Sequence, residues 1–178
     1  DPDRPGMPPE PLQINSQTIE VAISNGIART TVDQIFFNPS SQPLEGWYWF
    51  TAPDGAAIER FAWEVNGQLV DGAMIERKQA AAAYAEALAA RVFEPALLEW
   101  VDGRTYRARI YPVPAVGAKR IVISYTELLP LADGVYRYVY PMAGNETRIQ
   151  EFSLKVNLDD GDEKYNVATL SDARIEKD

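Results

Sequence analysis

The sequence of 178 residues contains no cysteine and no histidine. Without cysteine the chain can form no disulfide, no thiolate nucleophile and no cysteine-ligated metal site. Without histidine it lacks Ser-His-Asp and Cys-His catalysis, and it lacks the residue that nearly all protein zinc sites use. We therefore expect no catalytic residues, no metal site and no cofactor in this chain.

Long apolar runs and positive charge are also scarce. No stretch of about 18 apolar residues occurs, so we expect no transmembrane helix and no direct insertion into a membrane. The formal net charge is −9, which repels nucleic acid and anionic membrane surfaces. We expect a protein partner and no nucleic acid. The acidic run at 159–163 has the composition of a calcium loop without the EF-hand spacing, and we interpret it as a solvated turn.

The chain does contain a strong period of two. Ile19, Val21 and Ile23 alternate with polar or small neighbours, which is typical of a strand with one buried face. Asn25-Gly26 follows, and this pair favours a type I′ hairpin turn because both central positions need a positive φ. Similar pairs recur at Asp54-Gly55, Asn66-Gly67, Asp71-Gly72, Asp102-Gly103, Asp133-Gly134 and Asp160-Gly161. Short strands between such turns predict antiparallel sheets packed as a sandwich or a barrel.

One segment departs from this pattern. Residues 75–91, IERKQAAAAYAEALAAR, are rich in alanine, which has the highest intrinsic helix propensity. Ala81, Tyr84, Ala85 and Leu88 recur at the spacing of one helix face. We therefore predict a mainly β fold, an antiparallel β-sandwich with one alanine-rich helix at about residues 75–91 packed on it.

An aromatic run on one predicted strand is the main candidate for a binding surface. Alternation places Trp47 and Trp49 on one face of the strand, and Tyr48 and Phe50 on the other. Such rings either pack in the core or form a platform that stacks on sugars or docks a protein. The candidate interaction surface consists of the aromatic residues Trp47, Trp49, Trp63, Tyr136 and Tyr138.

A pair of carboxylates offers a hydrolytic alternative. Glu94 and Glu99 flank a short apolar segment, and glycoside hydrolases use two carboxylates of suitable separation and burial. With 26 acidic residues in the chain, however, a suggestive pair is expected from composition alone. The sequence thus leaves three hypotheses for the function, namely a protein-interaction module, a carbohydrate-binding module and a hydrolase.

Three segments, at 30–87, 93–115 and 119–129, together resemble a known family. The elements that carry the resemblance are the Asn38-Pro39 turn, the aromatic run before Pro53, Val65-Asn66-Gly67, the predicted helix with Tyr84, the segment at 94–99, the strand at 106–112 and Ser124-Tyr125. In order and spacing these elements resemble the VIT domain, named for vault protein and the inter-alpha-trypsin inhibitor heavy chains. The resemblance covers about residues 12–142.

The resemblance implies a β-sandwich-like domain with a packed helix and no accepted catalytic residues. Family members usually place this domain before a von Willebrand A domain, whose D-x-S-x-S metal site is missing from this sequence. The implied function is a non-catalytic scaffold or interaction module that supports such an adhesion domain. The implied partner is a neighbouring domain of the same chain or an envelope protein.

This reading divides the chain into three parts. We expect a proline-rich extended segment at 1–11, the VIT-like domain at 12–142, and further strands with an acidic tail at 143–178. The sequence leaves two interpretations of the last part, which either completes this domain or links it to a following von Willebrand A-type domain. The lack of cysteine and the proline-rich start favour a bacterial protein that is secreted, periplasmic or part of the cell envelope.

Overall fold

The computed structural model describes residues 12–76, 97–141 and 149–159. The strands in these residues are β1 (Gln13–Ser24), β2 (Ile27–Asn38), β3 (Leu44–Thr51), β4 (Ala57–Val65), β5 (Gln68–Asp71), β6 (Ala73–Glu76), β7 (Leu97–Asp102), β8 (Thr105–Val113), β9 (Gly117–Leu128), β10 (Leu131–Ala132), β11 (Val135–Tyr136) and β12 (Ile149–Leu158). Within these ranges no helix has the length and apolar character needed to cross a bilayer.

The strands form three sheets. The largest has six strands in the order β12-β1-β2-β9-β4-β5, the second has four in the order β3-β8-β7-β6, and β10 and β11 form a small hairpin. Most neighbours are antiparallel, but β1 and β12 are parallel, as are β6 and β7. The prediction of purely antiparallel sheets is therefore wrong, because alternation in a sequence does not reveal the direction in which strands pair.

The predicted helix is also corrected by the structure. Ile75 and Glu76, the first residues of the predicted helix, lie in β6 and pair in parallel with β7. Intrinsic helix propensity is a weak preference, and pairing with a neighbouring strand overrides it here. Residues 77–91 of the predicted helix lie outside the described residues. Among the residues that are described, every regular element is a strand and no helix packs on the sheets.

Three of the predicted turns are confirmed as hairpin turns. Asn25 and Gly26, between β1 and β2, have φ angles of 51° and 72°. Asn66 and Gly67, between β4 and β5, have φ angles of 52° and 79°. Asp133 and Gly134, between β10 and β11, have φ angles of 53° and 77°. Positive φ at both central residues is the signature of a type I′ turn, whose twist matches that of the paired strands.

The main core lies between the six-stranded and the four-stranded sheets. Buried side chains of β2, β4 and β9 meet buried side chains of β3, β7 and β8. Trp63 and Tyr125 come from the larger sheet, and Tyr48 comes from the smaller one. The rings of Phe50 and Tyr125 lie 5.6 Å apart between their centroids, so aromatic contacts join the two layers.

A second, smaller core covers β1 and β2. The segment after β11 lies against it through Tyr138 and Tyr140. The Tyr138 hydroxyl is 2.9 Å from Thr30 Oγ1, and the Tyr140 hydroxyl accepts a hydrogen bond from Gln17 Nε2 at 3.1 Å. Burial raises the pKa of both tyrosines, to about 12 for Tyr140. The buried apolar members of this core are Ile19, Val21, Ile23, Ala28 and Leu129.

Candidate functional site

The outer face of the four-stranded sheet carries two exposed tryptophans. On β3, Tyr48 points into the main core and is 7% exposed, and burial raises the pKa of its hydroxyl. Trp47 and Trp49 lie on the opposite face, where they are 44% and 55% exposed. The alternation expected from the sequence is therefore present in the fold, and it leaves two large indole rings in contact with water.

Strand β8 places a guanidinium beside these rings. In the ladder between β3 and β8, Arg109 lies opposite Trp47 and Arg107 lies opposite Trp49. Arg107 Cζ is 4.4 Å from the ring centroid of Trp47 and 5.6 Å from that of Trp49. A guanidinium at this distance makes cation–π contacts with both indoles. One arginine thus fixes two tryptophans relative to each other.

A carboxylate on the next strand holds that arginine. Glu99 on β7 accepts hydrogen bonds from Arg107 Nε at 2.7 Å and from Arg107 Nη2 at 3.1 Å. The Glu99 side chain is only 5% exposed, and the Arg107 side chain is 23% exposed. A buried carboxylate needs a charged, hydrogen-bonded partner, and the two-point contact fixes the guanidinium plane. We call Trp47, Trp49, Arg107 and Glu99 the platform.

A second ion pair lies beside the platform. Glu45 on β3 accepts hydrogen bonds from Arg109 Nε at 2.7 Å and Arg109 Nη2 at 2.9 Å. The hydrogen bond from Arg109 holds the pKa of the Glu45 carboxyl below its ordinary value. Because both arginines face carboxylates, this surface combines aromatic area with balanced charge. Tryptophan and arginine are the residue types that dominate protein–protein hot spots.

The other predicted surface residues lie elsewhere. Trp63 on β4 is 1% exposed and belongs to the main core. Tyr136 on β11 is half exposed, and its ring closes on the β1–β2 turn so tightly that a Cβ added at Gly26 would lie 2.6 Å from it. Tyr138 packs on the second core beside Thr30. The structure therefore brings together Trp47 and Trp49, and none of the other three joins them.

Arg107 and Glu99 complete the platform but were not predicted as interaction residues. Alternation in the segment TYRARIYPV does place Arg107 and Arg109 on one strand face. Their position beside the tryptophans depends on the register between β3 and β8, which the sequence does not state. The sequence suggested Glu99 only as one member of a possible hydrolytic pair. The other member, Glu94, lies outside the described residues.

Across 12–76, 97–141 and 149–159, no group of three or more histidine, cysteine, aspartate or glutamate side chains is arranged to hold a metal ion. The predicted acidic turn at 159–163 falls outside these ranges except for Asp159.

Comparison with known proteins identifies one family, and the solved structures that match include the two distant ones described below. The family model described as "Vault protein inter-alpha-trypsin domain" matches residues 14–125. An M1 zinc metallopeptidase from Deinococcus radiodurans is 12% identical with a TM-score of 0.37, over 68% of this chain and 22% of that one. A putative nutrient binding protein from Legionella pneumophila is 12% identical with a TM-score of 0.36, over 66% of this chain and 40% of that one. The chain thus spans less than half the length of either structure, and likenesses this weak carry no conclusion about function. No curated protein matches the chain.

Proposed function

The chain belongs to the VIT domain family, a family of non-enzymatic domains, and from this premise we propose that it is a non-catalytic protein-interaction module. In the proposed role it supports an adjacent von Willebrand A-type adhesion domain of a secreted or cell-envelope protein. The platform is the proposed contact face. The observation that carries this proposal is the pair of exposed tryptophans held around Arg107.

The physical argument rests on apolar area that is already ordered. Trp47 and Trp49 are about half exposed, so a partner that covers them removes a large aromatic surface from water. Arg107 lies against both rings, and Glu99 fixes Arg107, so these side chains lose little freedom when a partner binds. Preorganisation of this kind raises affinity by lowering the entropy cost of association.

The proposal is tested by binding between separately produced domains. The von Willebrand A-type domain that it places in the longer protein is titrated into this chain by isothermal titration calorimetry. We expect Trp47→Ala/Trp49→Ala to raise the Kd by about tenfold or more, because truncation of central hot-spot residues has effects of that size.

A matched control uses the remaining exposed tryptophan. Trp100 is 47% exposed, but it follows Glu99 on β7 and so projects from the other side of that strand. Trp100→Ala should therefore bind as tightly as the wild type. Equal affinity for all three proteins would refute the platform as the contact face. A wild-type chain that does not bind the neighbouring domain would refute the supporting role itself.

The same two indoles also favour carbohydrate binding as a second function. Exposed tryptophans stack on sugar rings, but stacking needs a free ring face, and Arg107 covers one face of Trp47. Titration with soluble oligosaccharides, followed by tryptophan fluorescence, tests this function. The response should vanish in Trp47→Ala/Trp49→Ala and persist in Trp100→Ala. The function would be ruled out if no oligosaccharide changed the tryptophan fluorescence while acrylamide quenched it efficiently, because the rings would then be accessible and yet bind no sugar.

A further inference from the structure

Strand β12 forms one edge of the six-stranded sheet. It pairs in parallel with β1, from Ile149 opposite Ile14 to Leu158 opposite Ile23. Among the described strands, none pairs with its other side. A free edge presents a row of backbone N–H and C=O groups that another strand can join. β12 has ten residues and contains no proline, so its edge suits strand addition.

The side chains of β12 divide into an apolar face and a polar face. Phe152, Leu154, Val156 and Leu158 are between 37% and 47% exposed, while Ile19, Val21 and Ile23, opposite the last three on β1, are at most 8% exposed. On the polar face, Ser153 Oγ donates a hydrogen bond to Thr18 Oγ1 at 3.2 Å. The apolar face of the sheet therefore continues beyond the second core into water, which marks an interaction surface.

The charges on β12 indicate what covers it. The strand IQEFSLKVNL has one acidic residue, Glu151, and one basic residue, Lys155, both on the polar face. When two copies of β12 pair antiparallel and centre on Ser153, each Glu151 lies opposite the Lys155 of the other copy. Phe152 then lies opposite Leu154. Opposite charges and aromatic–aliphatic pairs at facing positions both stabilise a ladder, so the strand is complementary to itself.

We propose that β12 is a dimerisation edge, where a second copy of this chain adds its own β12 antiparallel about a two-fold axis at Ser153. The two six-stranded sheets then form one continuous sheet, and the interface is isologous, as in most homodimers. The apolar faces of the two β12 strands lie side by side and shield each other. This surface is separate from the platform, which lies on the four-stranded sheet.

The test measures the mass of the full 178-residue chain by light scattering and analytical ultracentrifugation over a wide range of concentrations. The wild-type mass should double as concentration rises. In the proposed dimer, Lys155→Glu places two acidic side chains opposite each other at both 151–155 contacts. Glu151→Lys places two basic side chains opposite each other at the same two contacts. Each variant should raise the dimer Kd by about tenfold, with circular dichroism confirming that it stays folded.

Mixing the two variants tests the register itself. A Lys155→Glu chain paired with a Glu151→Lys chain has opposite charges at both positions, so the equimolar mixture should form a heterodimer with wild-type affinity. The double variant Glu151→Lys/Lys155→Glu should likewise form a homodimer. It also controls for repulsion within one chain, because Glu20 on β1 lies opposite residue 155. Added salt should narrow the differences between variants.

Three results would overturn the proposal. The first is a wild-type chain that remains monomeric at every concentration, as expected if another segment or partner occupies the edge. The second is dimerisation of both single variants at the wild-type Kd. The third is a variant mixture that fails to regain affinity. Each of these substitutions leaves the platform unchanged, so failure here is distinguishable from failure of the proposed function.

Discussion

The two sides of the four-stranded sheet hold aromatic rings in opposite surroundings. On the inner side, Tyr48 and Phe50 contact other rings and aliphatic groups of the main core. On the outer side, Trp47 and Trp49 contact the guanidinium of Arg107. Neighbouring residues of one strand thus serve packing on one side and an ordered surface on the other. The facing layer, and not the residue type, decides which role a ring has.

Carboxylates show the same contrast. Glu45, on the outer side of its sheet, has a lowered pKa because Arg109 donates hydrogen bonds to it. Glu127 on β9 lies opposite Ala28, a member of the second core. Burial raises the pKa of Glu127, and within the described residues its buried Oε1 has no hydrogen-bond partner. Glu127, beside the second core of the six-stranded sheet, is therefore in a place that disfavours its charge, whereas Arg109 stabilises the charge of Glu45 on the outer side of the four-stranded sheet.

The largest expected effect comes from removing a ring on the core side. Trp63→Ala should lower the free energy of unfolding by about 3–5 kcal/mol, because a fully buried ring leaves a cavity. Urea denaturation measures the loss. Trp100→Ala, at an exposed tryptophan, should stay within about 1 kcal/mol of the wild type. Similar losses for the two variants would contradict the distinction between core and surface rings.

A smaller loss is expected from the ion pair of the platform. Glu99→Ala leaves Arg107 partly buried without its carboxylate, and should destabilise the fold by about 2 kcal/mol. The matched control is Asp71→Ala, which breaks the exposed pair with Arg60 and should change stability by about 0.5 kcal/mol or less. Denaturant titration measures the loss in free energy of unfolding for both variants. Equal losses would show that burial does not make the Glu99–Arg107 pair more important to stability than the exposed pair.

The hairpin that carries Trp63 offers a third comparison. Gly67→Val should destabilise by about 1 kcal/mol, because a β-branched residue is strained at a φ of 79°. A Cβ at Gly67 would meet nothing within 4 Å, so the cost comes from the backbone and not from a clash. Gly67→Asn, which tolerates positive φ, should lose less. Thermal melting curves identical to the wild type for the valine variant would disprove the strain.

The smallest effect is the pH dependence of the two carboxylates. The raised pKa of Glu127 means that its contribution to stability is present below the ordinary carboxyl pKa and is lost as pH rises through the folded pKa. Glu127→Gln should therefore be slightly more stable than the wild type near neutral pH, with the gain vanishing in acid.

Glu45→Gln should behave in the opposite way. The lowered pKa of Glu45 contributes stability above the ordinary carboxyl pKa, and this contribution is lost as pH falls through the folded pKa. The variant should be slightly less stable near neutral pH. Urea titrations at neutral and acidic pH measure the stability of both variants. If both variants were more stable than the wild type near neutral pH, or both less stable, the contrast between the two carboxylates would be contradicted.

Features that depend on neighbouring residues could be predicted from the sequence. The turns at Asn25-Gly26 and Asn66-Gly67 follow from residues that tolerate positive φ. The separation of Trp47 from Tyr48 follows from strand alternation. Alternation does not state which face a second layer covers, however. This is why Trp63, predicted as a possible surface residue, proves to lie in the main core.

Features that depend on distant pairing could not be predicted. Arg107 reaches the two indoles only because β8 pairs with β3 in one register. The parallel pairing of β12 with β1 has no sequence signal, because an alternating strand looks the same in either direction. Ile75 illustrates a competition between helix propensity and strand pairing. The alanine-rich sequence that follows it predicted a helix, but Ile75 lies in β6 and pairs with β7.

The parallel pairing of β1 with β12 also has a consequence for the way the chain is made. Thr18 and Ser153, which are hydrogen-bonded neighbours in the sheet, are 135 residues apart in the chain. At a synthesis rate of about 5–20 residues per second, a ribosome needs on the order of ten seconds between the two strands. During that interval β1 has been synthesised but β12, which pairs with it, has not. A nascent chain of this protein therefore has a built-in period of exposure during which shielding by a chaperone would be useful.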